Sequence, residues 1–191
     1  MVDYPIEPER ISPTRRAVSR AIVRASARSL HWYTNHWLFL INVIMFVIAA
    51  LVFVPPFLLM AGQGGLASAI YALYSPFCHQ MPSRSFFIFD YQLAVCQRNL
   101  AIFVATFLAG LAFIPFRGRI KPLPWWLFAL FTLPIAVDGF ILVFGWCEST
   151  WALRLMTGSL FGLGTVWVAF PMIEQACQRT RLLLGMQPSK F

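Results

Sequence analysis

Residues 37–61 read WLFLINVIMFVIAALVFVPPFLLMA, a stretch without one charged side chain. Nothing else in the chain constrains its fold as tightly. A helix needs about 20 apolar residues to cross a bilayer core. Three further runs reach that length, at residues 93–116, 123–144 and 151–172, each holding a single charged residue. A fifth apolar stretch, residues 66–77, is shorter and ends at Ser75-Pro76. Its length suits an interfacial or re-entrant helix in a loop and not a span. The expected class is therefore all-α: a four-helix transmembrane bundle with one short extra helix. Composition points the same way, since 12% charged residues is about half of what ordinary soluble domains carry.

The basic residues orient the bundle. Arg10, Arg15, Arg16, Arg20, Arg24 and Arg28 precede the first run, Arg117, Arg119 and Lys121 separate the second from the third, and Arg179, Arg181 and Lys190 follow the fourth. Four spans put all of these on one side and leave Arg84, Arg98 and Arg154 at or near the other. Positive-inside bias then assigns both termini to the cytoplasm of a cell inner membrane. A fifth span at residues 66–77 would carry Arg117, Arg119 and Lys121 outside and weaken the bias. The implied organisation is a basic N-terminal tail at residues 1–35, a four-span domain at 36–175 and a short basic tail at 176–191. Ala67-Ser68-Ala69 looks like a signal-peptidase site, but the apolar run before it is longer than a signal core, so a retained first helix is expected.

Within the N-terminal tail, Ser12-Pro13-Thr14 is a helix-start signal, with Thr14 capping or the proline in the first turn. Arg16, Arg20, Arg24 and Arg28 then recur every four residues, while Val18, Ile22 and Ala25 fall on another face. Such a helix either lies on anionic lipids or is a solvated topogenic tail. Nucleic acid is a poor partner, because His31, Trp32, Tyr33 and Trp37 are the aromatics a membrane interface uses.

The outer side holds the unusual chemistry. At about 1.5 Å of rise per residue, Arg98 lies roughly 7–8 Å below the outer end of the second run and Asp138 roughly 9 Å below that of the third. Arg154 and Thr157 enter the fourth run at about 4–9 Å on the same scale. Charges within a membrane face the protein interior and pair, so an ion pair between Arg98 and Asp138 is expected, with Arg154 and Thr157 beside it. That cluster either locks helix packing or serves a function. Below Asp138 the third run offers only Thr132 and Pro134, so a conduit through the whole bilayer is not supported.

Cysteine and histidine add a second possibility. Cys78, His79, Cys96 and Cys147 map to the outer side and Cys177 to the inner. Cys78, His79 and Cys96, joined by a carboxylate such as Asp138 or Glu148, can hold zinc or another transition metal. Equally, an oxidising compartment favours a disulfide joining Cys78 to Cys96 or Cys96 to Cys147, and free thiols stay open as well.

Taken together, Cys78-His79-Gln80, Pro82-Ser83-Arg84-Ser85-Phe86 and Cys96-Gln97-Arg98 resemble the domain of unknown function 2085 family of small prokaryotic membrane proteins. Asp138-Gly139 and Thr157-Gly158 are similar to motifs in that family's later helices. The resemblance covers residues 75–162 and implies a polar loop site of Cys78, His79, Gln80, Arg84, Ser85 and Cys96; it implies no particular reaction. The family's second cysteine is replaced here by Asn99, and Leu100-Ala101 follow where the family has a glycine-containing pair. If the family cluster binds a metal, this chain has lost a ligand.

Gly158 and Gly162 form a GxxxG in the last run, suited to close helix contact either within the chain or with a partner. No nucleotide loop, serine triad or paired-carboxylate site is present, and three of the seven acidic residues lie in the first nine positions. Two functions follow. The first is a non-catalytic accessory or assembly subunit of a larger, energy-converting membrane complex. The alternative is a metal-binding or thiol-redox protein using the outer-face cluster. A transporter is disfavoured by only four spans and no inverted repeat.

Overall fold

The computed structural model describes residues 12–143 and 149–185. Arg10, Cys147, Glu148 and Lys190 lie outside the described residues, as does the side chain of Arg16. The chain is mostly helical and divides into two units: residues 1–36 with 177–191, and residues 37–176. Six helices and one hairpin are described: α1 (Pro13–Leu51), α2 (Val54–Met60), α3 (Gly64–Tyr74), β1 (Ser85–Ile88), β2 (Tyr91–Cys96), α4 (Gln97–Phe113), α5 (Trp125–Val143) and α6 (Trp151–Leu183).

In the first unit α1 begins at Pro13, and the Ser12 hydroxyl accepts the Arg15 amide at 3.3 Å. Ser12 is thus the cap and Pro13 the first helical residue, a position where its missing N–H costs nothing. Arg20, Arg24 and Arg28 are exposed, and so are Val18 and Ile22. Trp32 stacks on His36 with ring centroids 4.9 Å apart.

Among the described residues three helices are long and apolar enough to cross a membrane: Ala17–Met60, Gln97–Phe116 and Trp151–Leu183. Trp125–Ile141 of α5 is apolar but shorter. Only 28% of the most apolar window of the first two is buried within the chain. Side chains this apolar and this exposed, such as Phe39, Phe46 and Leu108, have lipid as their natural solvent.

Residues 37–61 are not one helix. α1 stops at Leu51 and α2 restarts at Val54, because Pro55 and Pro56 have no N–H to continue the ladder. Pro56 leaves the carbonyl of Val52 without its usual donor, and the amide of Ala94 in β2 fills that place at 3.3 Å. Tyr74 of α3 donates its hydroxyl to Ile48 of α1 at 2.5 Å, and the Tyr71 hydroxyl donates to Gln92 of β2. α2, α3 and the hairpin therefore form one cap, packed around Val52, Tyr74, Cys78, Leu93 and Val95.

The hairpin corrects both the all-α expectation and the start of the second run. Residues 93–96 are strand, and the helix begins only at Gln97. The strands are antiparallel with Ile88 opposite Tyr91 and Ser85 opposite Cys96, and a bulge lies between Ser85 and Phe87. Phe89 and Asp90 turn the chain with φ of 52° and 63°, the two left-handed residues that a tight hairpin requires. The bulky Phe89 pays for that conformation with strain, offset by its edge-on contact with Phe57 of α2 at 5.8 Å.

The GxxxG face is internal. A Cβ on Gly158 would sit 2.5 Å from the Arg98 carbonyl, and one on Gly162 would sit 2.9 Å from that of Ile102. Both glycines let α6 lie directly against α4.

Candidate functional site

Gln80 builds the loop that carries Cys78. It adopts a left-handed φ of 50°, and its amide donates to the Tyr71 carbonyl at 2.7 Å and the Ala94 carbonyl at 2.9 Å. Its own carbonyl accepts from Gln92 at 2.6 Å, and Gln92 reaches the Ser85 hydroxyl at 3.0 Å. Ser85 in turn donates to Met81 at 3.0 Å. Asn99 donates to the Phe77 carbonyl at 2.8 Å, and so clamps the loop to α4. Four short polar side chains thereby fix where Cys78 emerges.

Cys78 is buried, and its sulfur accepts the amide of Cys96, the residue that caps α4, at 3.1 Å. Both thiols are free. Interaction with the Cys96 side chain holds the Cys78 thiol below the usual range, at about 6, against the opposing effect of burial; the amides of Cys96 and Gln80 and the charge of His79 add to it. The same interaction pushes the Cys96 thiol up. One cysteine is set up as a thiolate and the other as its proton-bearing neighbour, the asymmetry that makes a thiol pair reactive.

A cavity of about 370 Å³ opens beside this pair, lined by Cys78, His79, Cys96, Arg84, Arg98 and Arg154 among others. Arg98 is ion-paired with Asp138 across α4 and α5. Arg154 is 6% exposed and donates to the Gln97 side chain at 3.1 Å. Thr157 is buried too, but its hydroxyl turns back to the Leu153 carbonyl at 2.9 Å and takes no part in the pairing. Helix α4 begins later than the sequence suggests, so Arg98 stands in its first turn and still meets Asp138.

The zinc set is not assembled. Cys78 and Cys96 come together, but His79 is exposed where its neighbour Cys78 is buried. Among the described residues no group of three His, Cys, Asp or Glu side chains gathers to hold an ion. Two thiols alone do not fit a structural zinc centre, which takes four ligands.

Over 144 residues this chain is 35% identical to an uncharacterized protein of Methanocaldococcus jannaschii, covering 70% of this chain and 91% of that protein. The family model of a predicted membrane protein, domain of unknown function 2085, matches residues 78–168. The chain belongs to this family. The matched region opens at Cys78 and takes in Cys96, Arg98, Asp138 and Arg154. No solved structure matches.

Two functional features escape sequence reasoning. Gln97 is buried and supplies the oxygen that Arg154 binds. Glu174, 4% exposed, accepts from the Trp37 indole at 2.9 Å and from Arg117 at 2.8 Å. A signal for Glu174 existed: it is an acid at the end of an apolar run in a chain with seven acids in all.

Proposed function

We propose that this is a multi-pass protein of the cytoplasmic membrane that carries out thiol–disulfide exchange on Cys78 and Cys96. One observation carries the reading: a buried sulfur held 3.1 Å from the amide at the head of α4, the amide of a residue that itself bears a second free thiol. The Cys78 thiolate attacks one sulfur of a substrate disulfide, the substrate's S–S bond breaks, and the departing thiolate takes up a proton. Cys96 then loses its proton and attacks the Cys78 sulfur, releasing the second half of the substrate as a thiol. The substrate gains two electrons, and a bond between Cys78 and Cys96 records their loss. The reverse sequence oxidises a dithiol. A Cys96→Ser variant should stop at the first step and accumulate a mixed disulfide on Cys78, seen as added mass. If no redox buffer joins Cys78 to Cys96 in the wild type, and Cys96→Ser traps nothing, the reading is wrong.

The topology that goes with it has four spans, α5 being the fourth alongside the three longer helices, and both termini in the cytoplasm. The basic segments at residues 1–35 and 176–191 then flank a membrane domain at 36–175, and exposed Arg20, Arg24 and Arg28 meet anionic headgroups. This puts the cavity on the outer face, where oxidants are available. With the four native cysteines replaced by serine, a membrane-impermeant maleimide should label Ser83→Cys in intact cells and spare Arg119→Cys.

A second reading, an accessory or assembly subunit of a larger membrane complex, draws on an apolar groove of about 420 Å³ lined by Phe113, Phe131, Leu163 and Trp167. Native mass spectrometry of the gently extracted protein tests it, through companions in fixed stoichiometry. With Gly158 and Gly162 turned inward against α4, that reading has lost its other packing face.

A further inference from the structure

The cavity beside Cys78 has more cations than it can use internally. Three guanidiniums line it, from Arg84, Arg98 and Arg154. Among the described residues one carboxylate answers them, and Asp138 is committed to Arg98. Even with Cys78 ionised, two negative groups among the described residues answer three positive ones. The Nε atoms of all three arginines are buried without a hydrogen-bond partner. Arg154 is the most telling, because among the described residues its side chain finds only the neutral amide of Gln97, at 3.1 Å. A guanidinium this deeply buried needs an anion to offset its lost hydration, and its planar fork matches a carboxylate or phosphate. We infer that the cavity is an oxyanion site, binding the carboxylate or phosphate of a small molecule on Arg154 and Arg84 and presenting the rest of it to Cys78. This rests on the thiol-exchange reading for what happens next, and names its substrate class: a small disulfide or thiol that carries an oxyanion. The oxyanion site itself stands on the arginines.

Two alkylating reagents of the same size test it, iodoacetate with a carboxylate and iodoacetamide without, labelling of Cys78 being followed by peptide mass. Focusing by a cationic cavity raises the local concentration of an anion by about tenfold or more. The ratio of iodoacetate to iodoacetamide rates should therefore fall about tenfold in Arg154→Gln, fall in Arg84→Gln as well, and recover in part in Arg154→Lys. An unchanged ratio in both glutamine variants overturns the oxyanion site. Separately, inorganic phosphate is titrated calorimetrically into Cys78→Ser in detergent. Binding that persists there and vanishes on adding Arg154→Gln upholds the oxyanion site, even if wild-type Cys78 resists both reagents and thiol exchange falls. Absence of phosphate binding together with an unchanged ratio rejects the site while leaving thiol exchange standing. In nanodiscs, phosphate displacement by phosphatidylglycerol but not phosphatidylcholine would assign the site to a lipid headgroup and overturn the small-molecule substrate.

Discussion

The two ends of α4 bury ionic groups in opposite ways. Just beyond its C-terminal end, one oxygen of Glu174 receives both the Trp37 indole and Arg117, and the Arg117 guanidinium lies 6.0 Å from the centre of the Trp37 ring. A single acid there draws together α1, α6 and the segment after α4. At the N-terminal end cations outnumber acids among the described residues, with Asp138 on Arg98 and three arginines, Arg84, Arg98 and Arg154, around an open cavity. The first arrangement is complete within the chain. The second has donors left over. A burial pattern with surplus donors is poor as a fastening and good as a receptor, and this contrast separates a structural ion pair from a candidate site in the same molecule.

Removing one acid from the closed end should have the largest effect. Glu174→Gln keeps an oxygen for Trp37 but leaves Arg117 without its counter-charge, and breaking a buried pair costs about 3–5 kcal/mol. Thermal unfolding in detergent should fall accordingly. Arg154→Gln at the open end should change stability by only about 1 kcal/mol, since it gives up one hydrogen bond along with an unanswered charge. Equal losses in the two variants would erase the distinction between the ends. Next comes Gly158→Leu, which drives a side chain into the Arg98 backbone and should cost about 1–3 kcal/mol while prising α6 from α4. Gly139→Ala should be nearly silent, because its nearest neighbour is 3.9 Å away.

The third prediction concerns pH. Cys78 is ionised in the folded protein above about 6, against about 8.5 for a free thiol. Its alkylation rate should rise through a midpoint near 6 and be flat by pH 8. A depressed folded value stabilises the native state fully above the unfolded thiol's pKa, and that contribution is lost as pH falls through about 6. A midpoint near 8.5 would make the open end as inert as the closed one. Asn99→Ala frees the Phe77 carbonyl and should cost about 1 kcal/mol, read best as faster hydrogen exchange in the loop that carries Cys78.

The membrane character was legible because charge-free runs have few other uses, and the pairing of Arg98 with Asp138 followed from their being charges within apolar runs, although the depth counted for Arg98 assumed helix where residues 93–96 are strand. The hairpin was not legible. Leu93, Ala94 and Val95 are buried consecutively, so β2 shows no alternation, and a short apolar run of that kind reads the same as helix. Pro55-Pro56 advertised a bend, but nothing local says that a strand some forty residues on would occupy it. In the site, the burial of Cys78 beside Cys96 follows from loop geometry set by Gln80, whose partners Tyr71 and Ala94 lie on two different elements. Pairwise chemistry among charges could be anticipated; a loop held by distant carbonyls could not.

The donor that reaches Val52 also sets an order of events during synthesis. Ala94 is made roughly forty residues after Val52, several seconds of translation at ordinary rates. Through that interval the Val52 carbonyl has no donor from residue 94, and the cap closes only when the hairpin arrives.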